Sequence, residues 1–302
     1  SKLTTEEYVR DSRFEAIGLA FKLNDGVTTW VSKPSVARWV ASVDWSDKIV
    51  VCQNTAFDGA ILAWHYGVKP LAWADTLSMS RALYPHDKSH SLKAQAERMG
   101  IGAKGDEVLN ALGKHYDDFS VEELSRYAAY CVNDVNLTHT LFTRYIEQGF
   151  PKQELKLIDL TLRMFIEPIL ELDKQLLEEH LRTVQLKKED LLVSCGVDKA
   201  ELMSNPKFAD ALRKLGVEPP LKVSLTTGKE TLALAKNDEE FKALAEHPDE
   251  RVQTLVAARL GNKTTLEETR TIRLLGIADR GLIPVPLSYY AAHTGRWGGA
   301  DK

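Results

Sequence analysis

Strand and helix patterns alternate along the first half of the sequence, and this alternation restricts the possible folds more than any other feature. Four apolar stretches predict strands, at 14–23, 28–33, 47–54 and 71–77. Three further stretches predict helices, at 58–65, at 91–100 and from 120 to about 145. Such an alternation is typical of a layered α/β domain, in which helices cover a sheet.

Local signals mark the ends of several of these elements. The triplet Asn24-Asp25-Gly26 lies between the first two predicted strands and predicts a hairpin. Gly100 predicts the end of the helix that precedes it. Ser120, with Glu123 three residues later, predicts a capping box at the start of the last helix.

The pattern changes at Pro151, beyond which leucine-rich stretches with alternating charges predict mostly helix. A chain of 302 residues is long enough for two domains, since single cores rarely grow beyond about 250–300 residues. We therefore expect an α/β domain followed by a mainly helical one.

The composition restricts the class of protein. The chain is 44% hydrophobic and 27% charged, as in soluble globular proteins. No apolar run approaches the roughly 20 residues of a membrane span. The three cysteines are widely separated, which fits a reducing compartment and excludes a thiolate zinc site. These observations predict a cytoplasmic protein without a membrane partner.

Charge is unevenly distributed along the chain. The whole chain has a net charge of -4, whereas residues 251–302 carry 8 Lys and Arg against 4 Asp and Glu, a net of +4. This basic end is where we expect phosphate contacts.

Three residues suggest a metal-dependent site. Tyr130 and Asp134 lie four residues apart in a predicted helix, so their side chains share one face. Asp58 is predicted in the first turn of a helix that follows a strand, where α/β sheets bind ligands. Their oxygens can hold Mg²⁺ or Mn²⁺. The residues alone leave simpler roles open, with Asp58 as a helix cap, Asn54 as a turn residue and Phe57 as part of the core.

Two segments resemble motifs of the proofreading 3′–5′ exonucleases, in the family's order. NTAFD (54–58) resembles the second motif, Asn-x-x-Phe/Tyr-Asp, and YCVND (130–134) resembles the third, Tyr-x-x-x-Asp. DTLSMSRAL (75–83) and HSLKAQAERMG (90–100) look like the segments that join those motifs. The resemblance implies an RNase H-like exonuclease domain, with a mixed sheet and flanking helices, that hydrolyses phosphodiesters with two metal ions.

The resemblance also implies a role for each matching residue. Asp58 and Asp134 would be metal ligands, and Tyr130 would orient the attacking water. Asn54 and Phe57 would form the pocket for the terminal nucleotide. The implied cofactors are two Mg²⁺ or Mn²⁺ ions, and the implied substrate is a single-stranded or frayed DNA 3′ end.

The family's first motif, Asp-x-Glu on the opening strand of the domain, has no counterpart here. The chain opens with SKLTTEEYVRD, which looks like the stretch that follows that motif, and Glu6 and Glu7 are poor substitutes. Two of the four metal carboxylates and the central first strand are therefore expected to be missing, which would expose the edges of the neighbouring strands. We expect the sequence to be a fragment that is nearly inactive as a nuclease.

The end of the chain carries a second resemblance. Residues 282–302, with Thr294-Gly295-Arg296, resemble the start of the palm of family A DNA polymerases of the bacteriophage type. RMFIEPILELD (163–173), TTGKETLALAKND (226–238) and residues 247–270 resemble the thumb. The resemblance predicts an exonuclease-like domain at 1–148, a helical thumb at 149–281 and the start of the palm at 282–302. It implies as partners a primer–template duplex and the remainder of the polymerase chain.

Basic residues of the predicted thumb would share one face if residues 259–273 formed one continuous helix. They are Arg259, Lys263, Arg270 and Arg273. They would span an arc of about 80°, and such a stripe can follow a phosphate backbone. The alternatives are a solvated face, with Glu267 and Glu268 nearby, and a break at Gly261. Arg296 would contact the primer strand by resemblance, or be a surface arginine beside Trp297.

Three functions remain open from the sequence. The first is part of a DNA polymerase with 3′–5′ exonuclease proofreading. The second is a nucleic-acid-binding module without catalysis. The third is a stand-alone exoribonuclease of the same fold, against which the palm-like ending TGRWGG argues.

Overall fold

The computed structural model describes residues 3–105 and 107–300 and divides the chain into two compact units. The first unit runs to Leu170 and includes the segment from Leu282, and the second is Glu171–Gly281. The first unit extends to Leu170, beyond the predicted boundary at residue 148, because the helix Lys152–Ile166 packs with the first unit. The identity of the domains stays a prediction.

The strands of the first unit form two separate pairs. β1 (Gly18–Phe21) and β2 (Thr29–Ser32) are antiparallel, so the predicted hairpin is confirmed. β3 (Ile49–Cys52) and β4 (Ala72–Asp75) are parallel. Within the described residues, β1 and β3 have one strand partner each and do not pair with each other, so the predicted mixed sheet is interrupted between them. Each keeps one edge without a strand partner, as the sequence analysis expects.

Helices pack around these strands. They are α1 (Thr5–Val9), α2 (Lys33–Ala41), α3 (Thr55–Tyr66), α4 (Thr76–Leu83), α5 (Leu92–Met99), α6 (Val121–Glu147) and α7 (Lys152–Ile166). Gly100 ends α5 in the left-handed conformation, with a φ of 60°. The capping box of α6 is confirmed: the Glu123 amide donates to the Ser120 hydroxyl at 3.2 Å, and the Ser120 amide donates to the Glu123 carboxylate at 2.9 Å.

Two long helices fix the core of this unit. α6 packs against β1, β2 and β3 and so bridges both strand pairs. α7 packs on β4, where Asp159 accepts the backbone N–H of Trp73 at 2.7 Å and Glu167 accepts its indole N–H at 2.9 Å. Arg163 forms ion pairs with both carboxylates. These contacts attach α7 to the first unit.

The second unit is mostly helical, as predicted. Its elements are α8 (Lys174–Cys195), α9 (Lys199–Met203), α10 (Asn205–Lys214), β5 (Leu221–Val223), β6 (Glu230–Leu232), α11 (Glu239–Ala243), α12 (Glu250–Lys263) and α13 (Leu266–Arg280). α8 packs along both α12 and α13. A separate core contains Phe208, Leu212, Phe241 and Val256, so this unit buries its own apolar surface.

The segment from Leu282 returns to the first unit as a small hairpin, β7 (Leu287–Ser288) and β8 (Gly298–Gly299). Trp297 donates its indole N–H to the Thr161 hydroxyl of α7 at 2.9 Å. In the described part of the chain, no helix has the length and apolarity required to cross a membrane.

Candidate active site in the first unit

Asp75 joins the ends of the two parallel strands. It ends β4 and caps α4, accepting the backbone N–H of Ser78 at 3.0 Å. The same carboxylate accepts the backbone N–H groups of Asn54 at 2.8 Å and Thr55 at 3.2 Å, just beyond β3. Asn54 is held in the left-handed region, with a φ of 67°. The Asp75 carboxylate, in a residue only 3% exposed, is therefore committed to backbone amides and positions the start of α3.

Asp58 lies in the first turn of α3, as predicted. The residue is exposed to solvent at its surface. Partial desolvation of its carboxylate by the protein around it raises the pKa of Asp58 to about 7, and the charges of Asp75 and Asp134 contribute in the same direction. Among the described residues, no cation is seen to pair with Asp58.

Tyr130 and Asp134 share one face of α6, as predicted. This is shown by the contact that both side chains make with the ammonium of Lys104. Lys104 donates to the Tyr130 hydroxyl at 2.8 Å and forms an ion pair with Oδ2 of Asp134. Burial, together with the charges of Asp134 and Asp58, raises the pKa of the Cys131 thiol to about 12. The charges of both carboxylates therefore affect the same thiol on α6. We call the site formed by Asp58, Lys104, Tyr130 and Asp134 the acidic cleft.

Lys104 is the member of the acidic cleft that the sequence analysis missed. It lies in the loop between α5 and the first 3-10 helix, and nothing in its neighbourhood in the sequence marks it as a partner of Asp134. Burial lowers the pKa of Lys104, but the hydrogen bonds to Asp134 and Tyr130 outweigh this effect, and the pKa is raised overall. The sequence offers only one signal for such a partner, which is a lysine somewhere between the predicted acidic ligands, and many lysines meet that condition.

The acidic cleft fits a divalent cation in part. Oδ1 of Asp134 is buried and has no hydrogen-bond partner among the described residues, so a cation could satisfy it. Asp58 supplies a second carboxylate, and hard oxygens are the ligands that Mg²⁺ and Mn²⁺ prefer. Across residues 3–105 and 107–300, however, no three His, Cys, Asp or Glu residues are grouped to hold a metal. The described residues therefore offer such an ion two carboxylates, Asp58 and Asp134.

Aromatic rings border the acidic cleft. Phe57 stacks on Tyr8 of α1, with ring centroids 6.0 Å apart. Tyr130 stacks on Tyr127 at 6.2 Å, and burial and nearby groups, including Tyr8, raise the pKa of Tyr127 to about 12. Phe57 is half-buried and Asn54 is exposed, so both predicted nucleotide-pocket residues lie next to Asp58 on accessible surface. Tyr8 is 48% exposed and was not predicted.

The predicted basic stripe of the second unit is not present as one helix. α12 ends at Lys263 and α13 begins at Leu266, so residues 259–273 do not form the single helix on which a shared basic face depends. The break lies at Thr264, where Lys188 of α8 donates to the carbonyl at 2.7 Å. Gly261 does not break α12: a Cβ there would lie 2.7 Å from Leu191, so the glycine allows α8 to approach closely.

Arg259 is buried and is not a surface DNA contact in this structure. It is 0% exposed, donates to the Leu202 carbonyl at 2.5 Å and to the Asn205 side chain, and lies 4.3 Å from the Phe208 ring centroid. The prediction that Arg259 contacts DNA is therefore wrong, because its guanidinium is buried and hydrogen-bonded inside the second unit.

The other predicted DNA-binding residues are exposed. Lys263 lies at the end of α12, Arg270 and Arg273 lie on α13, and Arg296 lies in the turn between β7 and β8. Around this turn the Ala291 amide donates to the Arg296 carbonyl at 2.9 Å. Their contact with DNA stays a prediction.

Comparison with known proteins finds similarity to solved structures but not to families or curated sequences. No protein-family model matches the chain, and no curated protein sequence matches it. Among solved structures it is similar to the POL domain of Pol1 from M. smegmatis in complex with DNA primer-template and dNTP, with a TM-score of 0.48 and 18% identity. The match covers 95% of this chain and 48% of that one, so this chain spans about half its length. Identity this low defines no residue role.

Proposed function

We propose that this chain contains the 3′–5′ exonuclease domain and the thumb of a bacteriophage-type family A DNA polymerase, and that Asp58 and Asp134 retain weak hydrolysis of phosphodiester bonds at DNA 3′ ends although two of the family's four metal carboxylates are missing. The observation that carries the proposal is that Asp58 and Asp134, on helices far apart in the sequence, lie close enough for the charge of Asp134 to raise the pKa of Asp58, while Tyr130 shares the Lys104 ammonium with Asp134. Structural acids are normally paired, whereas burial and like charge raise the pKa of Asp58 to about 7.

In the proposed site, Asp58 and Asp134 hold Mg²⁺ or Mn²⁺ through their carboxylate oxygens. A bound ion supplies Lewis-acid activation of the phosphate and of water. Tyr130 orients the attacking water through its hydroxyl, which already serves as a hydrogen-bond acceptor for Lys104. Phe57 presents a ring on which the terminal base stacks, and Asn54 lies at its edge.

The test is cleavage of a 5′-labelled single-stranded DNA in Mn²⁺. The wild type should shorten the label stepwise from the 3′ end, and Asp58→Asn and Asp134→Asn should abolish this. Asp47→Asn, on an exposed loop, is the matched control and should cleave normally. Absence of cleavage by the wild type, or equal cleavage by all variants, contradicts the proposal.

A second candidate function is DNA binding without catalysis. Lys104 already neutralises one of the two carboxylates, and the described residues supply no third. In this case DNA would bind with an affinity that falls steeply with salt, and Mn²⁺ would cause no cleavage. Competition with an RNA of the same sequence tests the exoribonuclease alternative, which predicts a preference for RNA.

A further inference from the structure

A lysine pairs with one of the two carboxylates to which the proposed function assigns a metal ion. The Lys104 ammonium forms its ion pair with Oδ2 of Asp134 and donates to the Tyr130 hydroxyl at 2.8 Å. It also lies 4.8 Å from the centroid of the Tyr130 ring. One cation thus contacts both residues of α6 to which the proposed function assigns a role.

The loop that carries Lys104 is attached to the same helix. The Asn133 side chain donates to the carbonyl of Ala103 at 3.0 Å, directly before Lys104. Directly after it, a Cβ on Gly105 would lie 3.1 Å from the Tyr130 ring, so the glycine lets the backbone pass close to that ring. These contacts on both sides deliver the Lys104 side chain to Asp134 rather than to solvent.

The ion pair leaves the acidic cleft half-neutralised. Oδ1 of Asp134 is buried without a hydrogen-bond partner among the described residues, and Lys104 binds only Oδ2. The side chains of Lys104 and Asp134 are about one-quarter exposed, 26% and 23%, so neither charge is fully hydrated. A divalent ion held by Asp134 and Asp58 would satisfy both oxygens, but it would repel an ammonium at the same carboxylate.

We propose that Lys104 is the resident counter-ion of the acidic cleft, and that a divalent cation binds only by displacing its ammonium from Asp134. This inference rests on the proposed function for the identity of the carboxylates, but it concerns metal affinity and not cleavage. Lys104 and the metal compete for the Asp134 carboxylate, because two cations at the same group repel each other. Each therefore weakens the binding of the other by the same factor.

The test measures Mn²⁺ binding from the electron paramagnetic resonance signal of free Mn²⁺, without DNA. Lys104→Met should bind Mn²⁺ about tenfold more tightly than the wild type, within the range typical of coupled sites. Lys114→Met is the matched control, because Lys114 pairs with Glu123 on the same helix but outside the acidic cleft, and it should leave the affinity unchanged. Adding Asp134→Asn to Lys104→Met should remove the gain.

Equal or weaker Mn²⁺ binding by Lys104→Met overturns the inference, since a positioning lysine would give that result. Absence of Mn²⁺ binding by both proteins overturns it as well. Lys104→Gln repeats the test if the methionine variant fails to fold. Tighter Mn²⁺ binding without DNA cleavage would uphold the displacement and refute the nuclease, whereas cleavage without a gain in affinity would do the reverse.

Discussion

Arg259 offers a direct test of whether a basic residue of the second unit serves DNA or the core. Its guanidinium is buried and donates to the Leu202 carbonyl and to Asn205, while Nε has no partner among the residues described. Burial lowers the pKa of this guanidinium, and no carboxylate within residues 3–105 and 107–300 is seen to pair with it. Arg259→Ala should therefore reduce the free energy of unfolding, and its effect on DNA affinity should be small.

The contacts of Arg259 set the magnitude. Two hydrogen bonds from a charged donor contribute about 1.5 kcal/mol each, and the contact with Phe208 about 1 kcal/mol. The substitution also removes the buried, unsatisfied Nε, and the desolvation cost of about 1 kcal/mol that disappears with it partly offsets this loss. The expected loss is about 3 kcal/mol, which lowers Tm by roughly 5 °C in a chain of 302 residues.

The assay combines thermal unfolding by circular dichroism with DNA binding by fluorescence anisotropy. Arg270→Ala, at an exposed position on α13, is the control: its Tm should change by about 1 °C or less, and its affinity for DNA should fall with a salt dependence reduced by about one phosphate contact. A folded Arg259→Ala protein with unchanged Tm and weakened DNA binding would refute the structural role.

Three further perturbations test the first unit and its site. In urea unfolding, Gly59→Ala should lower the free energy of unfolding by about 1 kcal/mol, since the added Cβ would lie 2.4 Å from Ile166. Gly276→Ala should raise it, because the added Cβ would meet only the flexible side chain of an arginine. Equal effects of the two substitutions would contradict this reasoning. Because folding raises the pKa of Asp58 to about 7, the native state binds a proton at Asp58 more tightly than the unfolded state does. This proton binding stabilises the native state fully below about pH 4, and the stabilisation is lost as the pH rises towards 7. The Tm of the metal-free protein should fall over this range, and an equal fall in Asp58→Asn would argue against the raised pKa. Tyr8→Ala should weaken binding of a 3′-terminal 2-aminopurine about tenfold, measured by its fluorescence, whereas Tyr8→Phe should retain binding; equal affinities would exclude a stacking role.

Elements with local signals were predictable from the sequence. The β1–β2 hairpin, the capping box of α6 and the end of α5 at Gly100 each depend on a few neighbouring residues. The placement of Tyr130 and Asp134 on one face follows from helical spacing alone. The same reasoning failed at residues 259–273, because the contact of Lys188 with Thr264 comes from another helix.

The sequence by itself determined the four strands of the first unit and the helices α3, α5 and α6, where several of them end, and which carboxylates lie at the start of α3 and along α6, but it did not predict α1, α2 or α4. The tertiary structure alone decided that Lys104 neutralises Asp134, that Asp75 joins two strand ends and that Arg259 lies in a core. It also decided that β1 and β3 do not pair. The physical reason is range: backbone conformation responds to adjacent residues, whereas the charge, burial and partners of a side chain depend on segments that only packing brings together.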